Sequence, residues 1–256
     1  MRRYWVWSAA VPAALALMTL SLLPTSAALG QEEESSGESL ATTPAIQDAD
    51  WAKPWWMPRH EEKLKEKADA EQVDLVWIGD SITHGWEGGG KAIWEQRYAP
   101  RHSLNLGFSG DRTENVLWRL QHGAIDDIAP KAFVIMIGTN NTGHRQDPAE
   151  ETAEGIKLIV DELRTRYPDA QVLLLAIFPR GETTEDPLRV LNEQINSRIE
   201  KLAADDHVHY LNINDKFLNE DGTLPKDIMP DLLHPNEKGY QIWSDAIEET
   251  LAGLLD

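Results

Sequence analysis

The sequence predicts a three-layer α/β domain whose strands run mostly parallel. Three observations predict it. Of five short apolar runs, Ala132–Ile137 and Val172–Phe178 are continuous rather than alternating, as strands buried on both faces are. Helical patterns with apolar residues at three- and four-residue spacing lie between them. The runs end in Gly79, Gly107, Gly138 and Pro179, which punctuate the passage from strand to loop. Strand and helix repeated in this order place helices on both faces of one sheet.

The elements follow in chain order. Arg2 and Arg3 precede an apolar stretch from Val11 to Leu23, then the small residues Thr25-Ser26-Ala27-Ala28. This is the pattern of a secretory signal peptide over residues 1–30, with an apolar run shorter than the roughly 20 residues a spanning helix needs. Residues 31–50 are rich in Glu, Ser and Thr and are expected to form an acidic disordered spacer. The folded domain is expected over 51–256, opening on Trp51, Trp55 and Trp56 as an aromatic lid on its edge and on a charged helix from Arg59 to Ala70. The strands are predicted at Val73–Ile78, Leu104–Leu106, Ala132–Ile137, Val172–Phe178 and Val208–Ile213. Asp111 with Glu114 is predicted to cap a helix bearing Val116, Leu117 and Leu120. Asp147-Pro148 opens the helix of Ile156, Ile159, Val160 and Leu163, and Asp186-Pro187 the helix of Leu191, Ile195 and Ile199. Tyr240, Trp243, Ile247 and Leu251 mark the last helix.

Composition excludes several functions. The 256-residue chain has no cysteine, which removes thiol catalysis, cysteine-bound metals and disulfides. Its net charge of -19 repels nucleic acid and anionic membranes, so neither is expected as a partner. With the leader removed, no stable membrane insertion is expected, and the chain is expected to be secreted or periplasmic. No histidine pair has the spacing of a helical metal site, and neither a metal nor another cofactor is expected.

Polar residues that can do chemistry stand just beyond the strands, where ligand groups collect in open α/β sheets. Ser81, in Gly79-Asp80-Ser81-Ile82-Thr83, follows the first strand. A serine hydroxyl needs a base within hydrogen-bond reach to act as a nucleophile. His234, in Asp231-Leu232-Leu233-His234-Pro235, can be that base. Asp231, three residues earlier, can fold back to the imidazole and fix its tautomer. Asn140, in Gly138-Thr139-Asn140-Asn141, offers a carboxamide N–H to a developing oxyanion, and Gly107 a backbone N–H.

Together these strings resemble the four blocks of the SGNH branch of the GDSL-type esterases and lipases, in the family's order, over residues from about Val73 to Leu254. GDSIT, NLGFSGD and GTNN are similar to the catalytic subunits of intracellular platelet-activating-factor acetylhydrolases and their bacterial relatives. Ile82 stands where the family name expects leucine. The resemblance implies a flavodoxin-like sheet of five parallel strands. It implies a triad in which Ser81 attacks, His234 takes the proton and Asp231 holds the imidazole. It also implies an oxyanion hole from the N–H groups of Ser81 and Gly107 and the side chain of Asn140. An exported acidic chain does not suit intracellular lipid signalling, so the narrower name is not carried over as a substrate.

The expected function is that of an exported serine esterase acting through an acyl-enzyme on a small-molecule or carbohydrate ester. The family branch, with the bulky residues Trp86, Phe108 and Phe178 near strand ends and Trp86 as a pocket wall, points to a short acyl group such as acetyl. A non-catalytic glycan-binding module, or a lysophospholipase or thioesterase of the same family, is the alternative. A nucleotide site at Gly85–Lys91 is disfavoured because Ala92 replaces the Ser or Thr that would hold magnesium.

Overall fold

A computed structural model describes residues 1, 4–5 and 39–255 of the protein. The expected signal peptide lies outside the described residues, apart from Met1, Tyr4 and Trp5. The sheet has five strands: β1 (Leu75–Gly79), β2 (Ser103–Gly107), β3 (Ala132–Met136), β4 (Gln171–Leu175) and β5 (Val208–Leu211). Their order is β2-β1-β3-β4-β5 and every pairing is parallel. The register sets Gly79 beside both Gly107 and Met136, so β1, β2 and β3 end in one row. Whatever follows these three strands emerges along the same rim.

Six helices matter here: α1 (Trp56–Asp69), α2 (Ser81–His84), α3 (Thr113–Gln121), α4 (Ala149–Arg166), α5 (Pro187–Ile199) and α6 (Glu237–Leu255). Alternate strand residues serve different cores, as the two-residue period requires. Val76, Ile78, Phe133 and Ile135 pack with Val116 and Leu120 of α3, Ile156 and Ile159 of α4, and Ile195 of α5. Leu75, Trp77 and Val134 pack with Trp86, Tyr98 and the α6 residues Trp243, Ile247 and Leu251. The continuous apolar runs are explained by this burial on both faces. Among the described residues, no helix is long and apolar enough to cross a membrane.

Several local expectations are corrected. Residues 39–50, taken as the end of a disordered spacer, are bound to the domain. The Thr113 hydroxyl donates to Ala41 O at 2.7 Å, Gln47 Nε2 to Gly110 O at 2.9 Å, and Asn115 Nδ2 to Ala45 O at 3.0 Å, with Ala41 and Gln47 buried. Polar composition concealed a strap held by its backbone carbonyls and small side chains. Asp111 does not cap α3; Asn115 accepts the Arg112 N–H at 2.9 Å, and Asp111 turns inward. Asp147 likewise leaves the start of α4 to bind Asn141 and Arg145. Asp186 caps α5 as predicted, accepting from the N–H groups of Leu188 and Arg189. Trp86, Phe108 and Phe178 are fully buried, so they line the core and not a pocket.

Candidate active site

Ser81 is the first residue of α2, two residues beyond the end of β1. Asp80 sets the turn, its Oδ1 accepting the Ile82 N–H at 2.9 Å. Ser81 Oγ lies 2.8 Å from His234 Nε2, and His234 Nδ1 lies 2.6 Å from Asp231 Oδ2. An ionised carboxylate only accepts, so Nδ1 carries the proton and Nε2 presents its lone pair to the serine hydroxyl. The Asp231-Leu232-Leu233-His234 turn is built by the same carboxylate: Oδ1 accepts the N–H groups of Leu233 at 3.1 Å and His234 at 2.7 Å. Leu232 adopts a left-handed conformation, φ 59°, to close it, and its carbonyl is tied to the Gly181 N–H beyond β4. Burial opposes ionisation of Asp231, but the hydrogen bonds from His234 outweigh it and hold the carboxyl below the usual range.

Asn140 follows β3 and is nearly buried. Its Nδ2 donates to Asp111 O at 3.0 Å, which orients the amide and leaves its second N–H. The neighbouring Asn141 is structural. It accepts the Thr113 N–H and donates to Thr113 Oγ1 and Asp147 Oδ2, pinning this loop to α3. Asp111 is fully buried, with Arg119 2.8 Å and Trp56 Nε1 2.6 Å away. Burial pushes its carboxyl up to about 6, still low enough to face Arg119 as an anion near neutrality.

The expectation for Gly107 is corrected. Its N–H donates to Asn105 Oδ1 at 2.8 Å and is therefore engaged within the strand end. Glycine is needed there for another reason: a Cβ would lie 2.2 Å from His84 N, so its absence lets α2 lie against β2. The residue that sequence reasoning missed is Gly110. The Asp111 N–H bonds to Phe108 O, making a turn in which Gly110 has φ 77°. A turn with positive φ at its third residue is of type II and favours glycine. Among the described residues the N–H groups of Gly110 and Ser81 meet no acceptor. Both glycines stand in Asn105-Leu106-Gly107-Phe108-Ser109-Gly110, and the sequence held no sign of which N–H would be left free.

Beside Ser81 opens a cleft of about 380 Å³ lined by His84, Glu87 and Ser109 with the backbone of Gly85 and Gly88. His84 Nδ1 is 3.0 Å from Ser109 Oγ. Burial and the nearby Arg59 push His84 down to about 4, so it is neutral at physiological pH. Burial opposes the charge on Glu87, but Arg59 and Lys63 overcome it and hold the carboxyl at about 2. A larger cavity, about 750 Å³, lies by the N-terminal ends of β1 and β3, lined by residues such as Lys67, Asp74 and Asp126; it is remote from the serine. Among the described residues no group of three His, Asp or Glu side chains could hold a metal.

Comparison with known proteins bears on the family and the fold. A model of the GDSL-like lipase/acylhydrolase family matches residues 77–242. The human platelet-activating factor acetylhydrolase IB subunit alpha1 is 38% identical over 204 residues, covering 78% of this chain and 84% of that protein. Among solved structures, a GDSL-like lipase of Bacteroides thetaiotaomicron superposes with a TM-score of 0.65 at 20% identity, covering 76% of this chain and 97% of that one. An acetylxylan esterase of Geobacillus stearothermophilus gives 0.58 at 21% identity over 69% and 93%.

Proposed function

The chain belongs to the GDSL-like lipase/acylhydrolase family and is a serine hydrolase acting on ester bonds; from that premise we propose that it works through an acyl-enzyme on Ser81. The observation that carries this reading is the unbroken chain from Ser81 Oγ to His234 Nε2 at 2.8 Å and from His234 Nδ1 to Asp231 Oδ2 at 2.6 Å. Ser81 attacks the ester carbonyl as His234 takes its proton. The C–O bond to the alcohol breaks, and the alcohol leaves with that proton. Water then gives its proton to His234 and attacks the acyl carbon, which releases the carboxylic acid and restores Ser81.

The negative oxygen of each tetrahedral intermediate is held by three donors: the N–H of Ser81, the second N–H of the Asn140 amide, and the N–H of Gly110 in place of that of Gly107. Their availability and the anchoring of Asn140 on Asp111 O support the set. The acyl group is short, as the acetylhydrolase relative at 38% identity suggests. The chain is exported through its N-terminal leader, a reading supported by Arg2, Arg3 and the apolar run from Val11 to Leu23.

A fluorophosphonate probe tests the nucleophile. Wild-type protein is expected to be labelled at Ser81 and to lose hydrolysis of aryl acetates in step, while Ser81→Ala takes no label. Labelling at another serine would refute the assignment. N-terminal sequencing of protein recovered from outside the cytoplasm tests the leader; an intact Met1 on cytoplasmic protein would refute export.

A further inference from the structure

The cleft beside Ser81 carries more polar chemistry than the hydrolytic reaction uses. His84 Nε2 stands 3.7 Å from Glu87 Oε2, beyond direct hydrogen bonding. Its other nitrogen is occupied by Ser109 Oγ. Glu87 is fixed in place by both terminal nitrogens of Arg59, each at 2.8 Å, and by Lys63 at 2.7 Å. A hydroxyl both donates and accepts, so with the His84 proton on Nε2 and Ser109 Oγ donating to Nδ1, one placed between His84 and Glu87 accepts from the first and donates to the second.

An aromatic wall adjoins this polar floor. The ring of Trp55 lies 6.2 Å from that of His84, and Trp51 stacks on Trp55 at 6.2 Å with 29° between planes. Trp51 is half exposed, and a Cβ on Gly110 would touch its ring at 2.1 Å, so it sits directly on the turn that carries the Gly110 N–H. Both tryptophans belong to a segment preceding residue 77, where the family match begins.

Each alternative occupant fits less well. A saturated acyl chain would desolvate His84, Ser109 and Glu87 without replacing their hydrogen bonds with water. A phosphate offers only acceptors when ionised, so the Glu87 oxygens would find no donor on it, and the Arg59 and Lys63 nitrogens that could hold it are already engaged by Glu87. A quaternary ammonium would meet a carboxylate already matched by two cations. What remains is an uncharged group with hydroxyls on its edge and apolar C–H faces.

We propose that this cleft, with Trp55 and Trp51, is the subsite for the alcohol half of the ester, and that the alcohol is a sugar ring. His84, Ser109 and Glu87 take ring hydroxyls, and the tryptophans cover a ring face. A volume of about 380 Å³ lies within the range of small-ligand sites. The proposal rests on the esterase reading above.

The test compares two acetates with the same acyl group, an O-acetylated methyl pyranoside and ethyl acetate, alongside fluorophosphonate labelling. Wild type is expected to favour the sugar ester in kcat/KM. Trp55→Ala and His84→Leu should each lower the ratio of sugar ester to ethyl ester about tenfold, mainly through KM, as the loss of one such contact implies. Trp55→Phe and His84→Gln should keep most of the ratio. A wild-type ratio near one, or variants that slow both esters in proportion, would overturn the subsite. Labelled wild type that cleaves neither acetate would also overturn it, while leaving the serine hydrolase standing. Wild type that takes no label would bring down the acyl-enzyme reading and this proposal with it.

Discussion

The Asn105 side chain bridges the end of β2 and the helix that bears Ser81. Its Oδ1 accepts the Gly107 N–H at 2.8 Å, and its Nδ2 donates to Thr83 O at 3.1 Å. Both backbone groups are buried with it. Asn105→Ala would strand the Gly107 donor, which costs roughly 1–3 kcal/mol when left unpaired in the interior, and would leave Thr83 O with the Gly85 N–H alone. The expected outcome is a loss of about 2 kcal/mol or more in urea unfolding. Stability unchanged within error would mean that the bridge does not tie α2 to the sheet.

In the proposed mechanism Asn140 acts only when charge develops. Its amide is oriented by Asp111 O, and among the described residues its second N–H meets no acceptor. Asn140→Ala should lower kcat by roughly 100- to 1,000-fold with KM little changed, the mark of an interaction made in the transition state. Kinetics on an aryl acetate decide it; an equal rise in KM with kcat intact would assign Asn140 to substrate binding instead.

Asp231→Asn separates the two tasks of this carboxylate. The amide oxygen can still accept the N–H groups of Leu233 and His234, which preserves the turn. Its NH₂ would face His234 Nδ1, however, and favour the tautomer with the proton on Nε2, pointing at Ser81. The expected result is a stable protein whose kcat falls by about three to four orders of magnitude. A loss below tenfold would show that the exposed turn lets another group or water set the tautomer.

The legibility of this site in the sequence was uneven, for physical reasons. Ser81, His234 and Asp231 could be placed because each is fixed by local geometry: a strand end, or a turn of four residues whose own carboxylate closes it. Strands β1, β3 and β4 were legible because both faces are buried, which writes a nearly unbroken apolar run, whereas β2, interrupted by Asn105, and the less buried β5, interrupted by His209, wrote weaker ones. Which glycine leaves its N–H free was not, because that depends on a side chain two residues away and on a turn that nothing in the local pattern distinguishes. The strap over residues 39–50 was misread because its polar composition is that of a disordered segment. It is held instead by contacts with residues 63 to 112 positions distant. Capping failed at Asp111 and Asp147 because both found charged partners, Arg119 eight residues on and Arg145 two residues back.

Asp80 gives the fold a pH dependence opposite to that of most carboxylates. It is fully buried, Oδ1 accepts the Ile82 N–H, and Oδ2 has no partner among the described residues. Burial pushes the carboxyl from an ordinary 3.8 up to about 7, against the pull of the Ile82 N–H. Between these values the folded chain keeps the proton and the unfolded chain has released it. Stability from this group is therefore complete below about pH 4, declines as pH rises towards 7, and levels off above. Asn at this position stays neutral and can still accept the Ile82 N–H, so any cost of burying its NH₂ is the same at every pH. The stability of Asp80→Asn relative to wild type should thus improve between pH 4 and pH 7, by on the order of 1 kcal/mol or more. Urea unfolding of both proteins across that range measures it. A difference that stays flat, or shifts towards the wild type, would show that Asp80 is ionised in the folded state throughout.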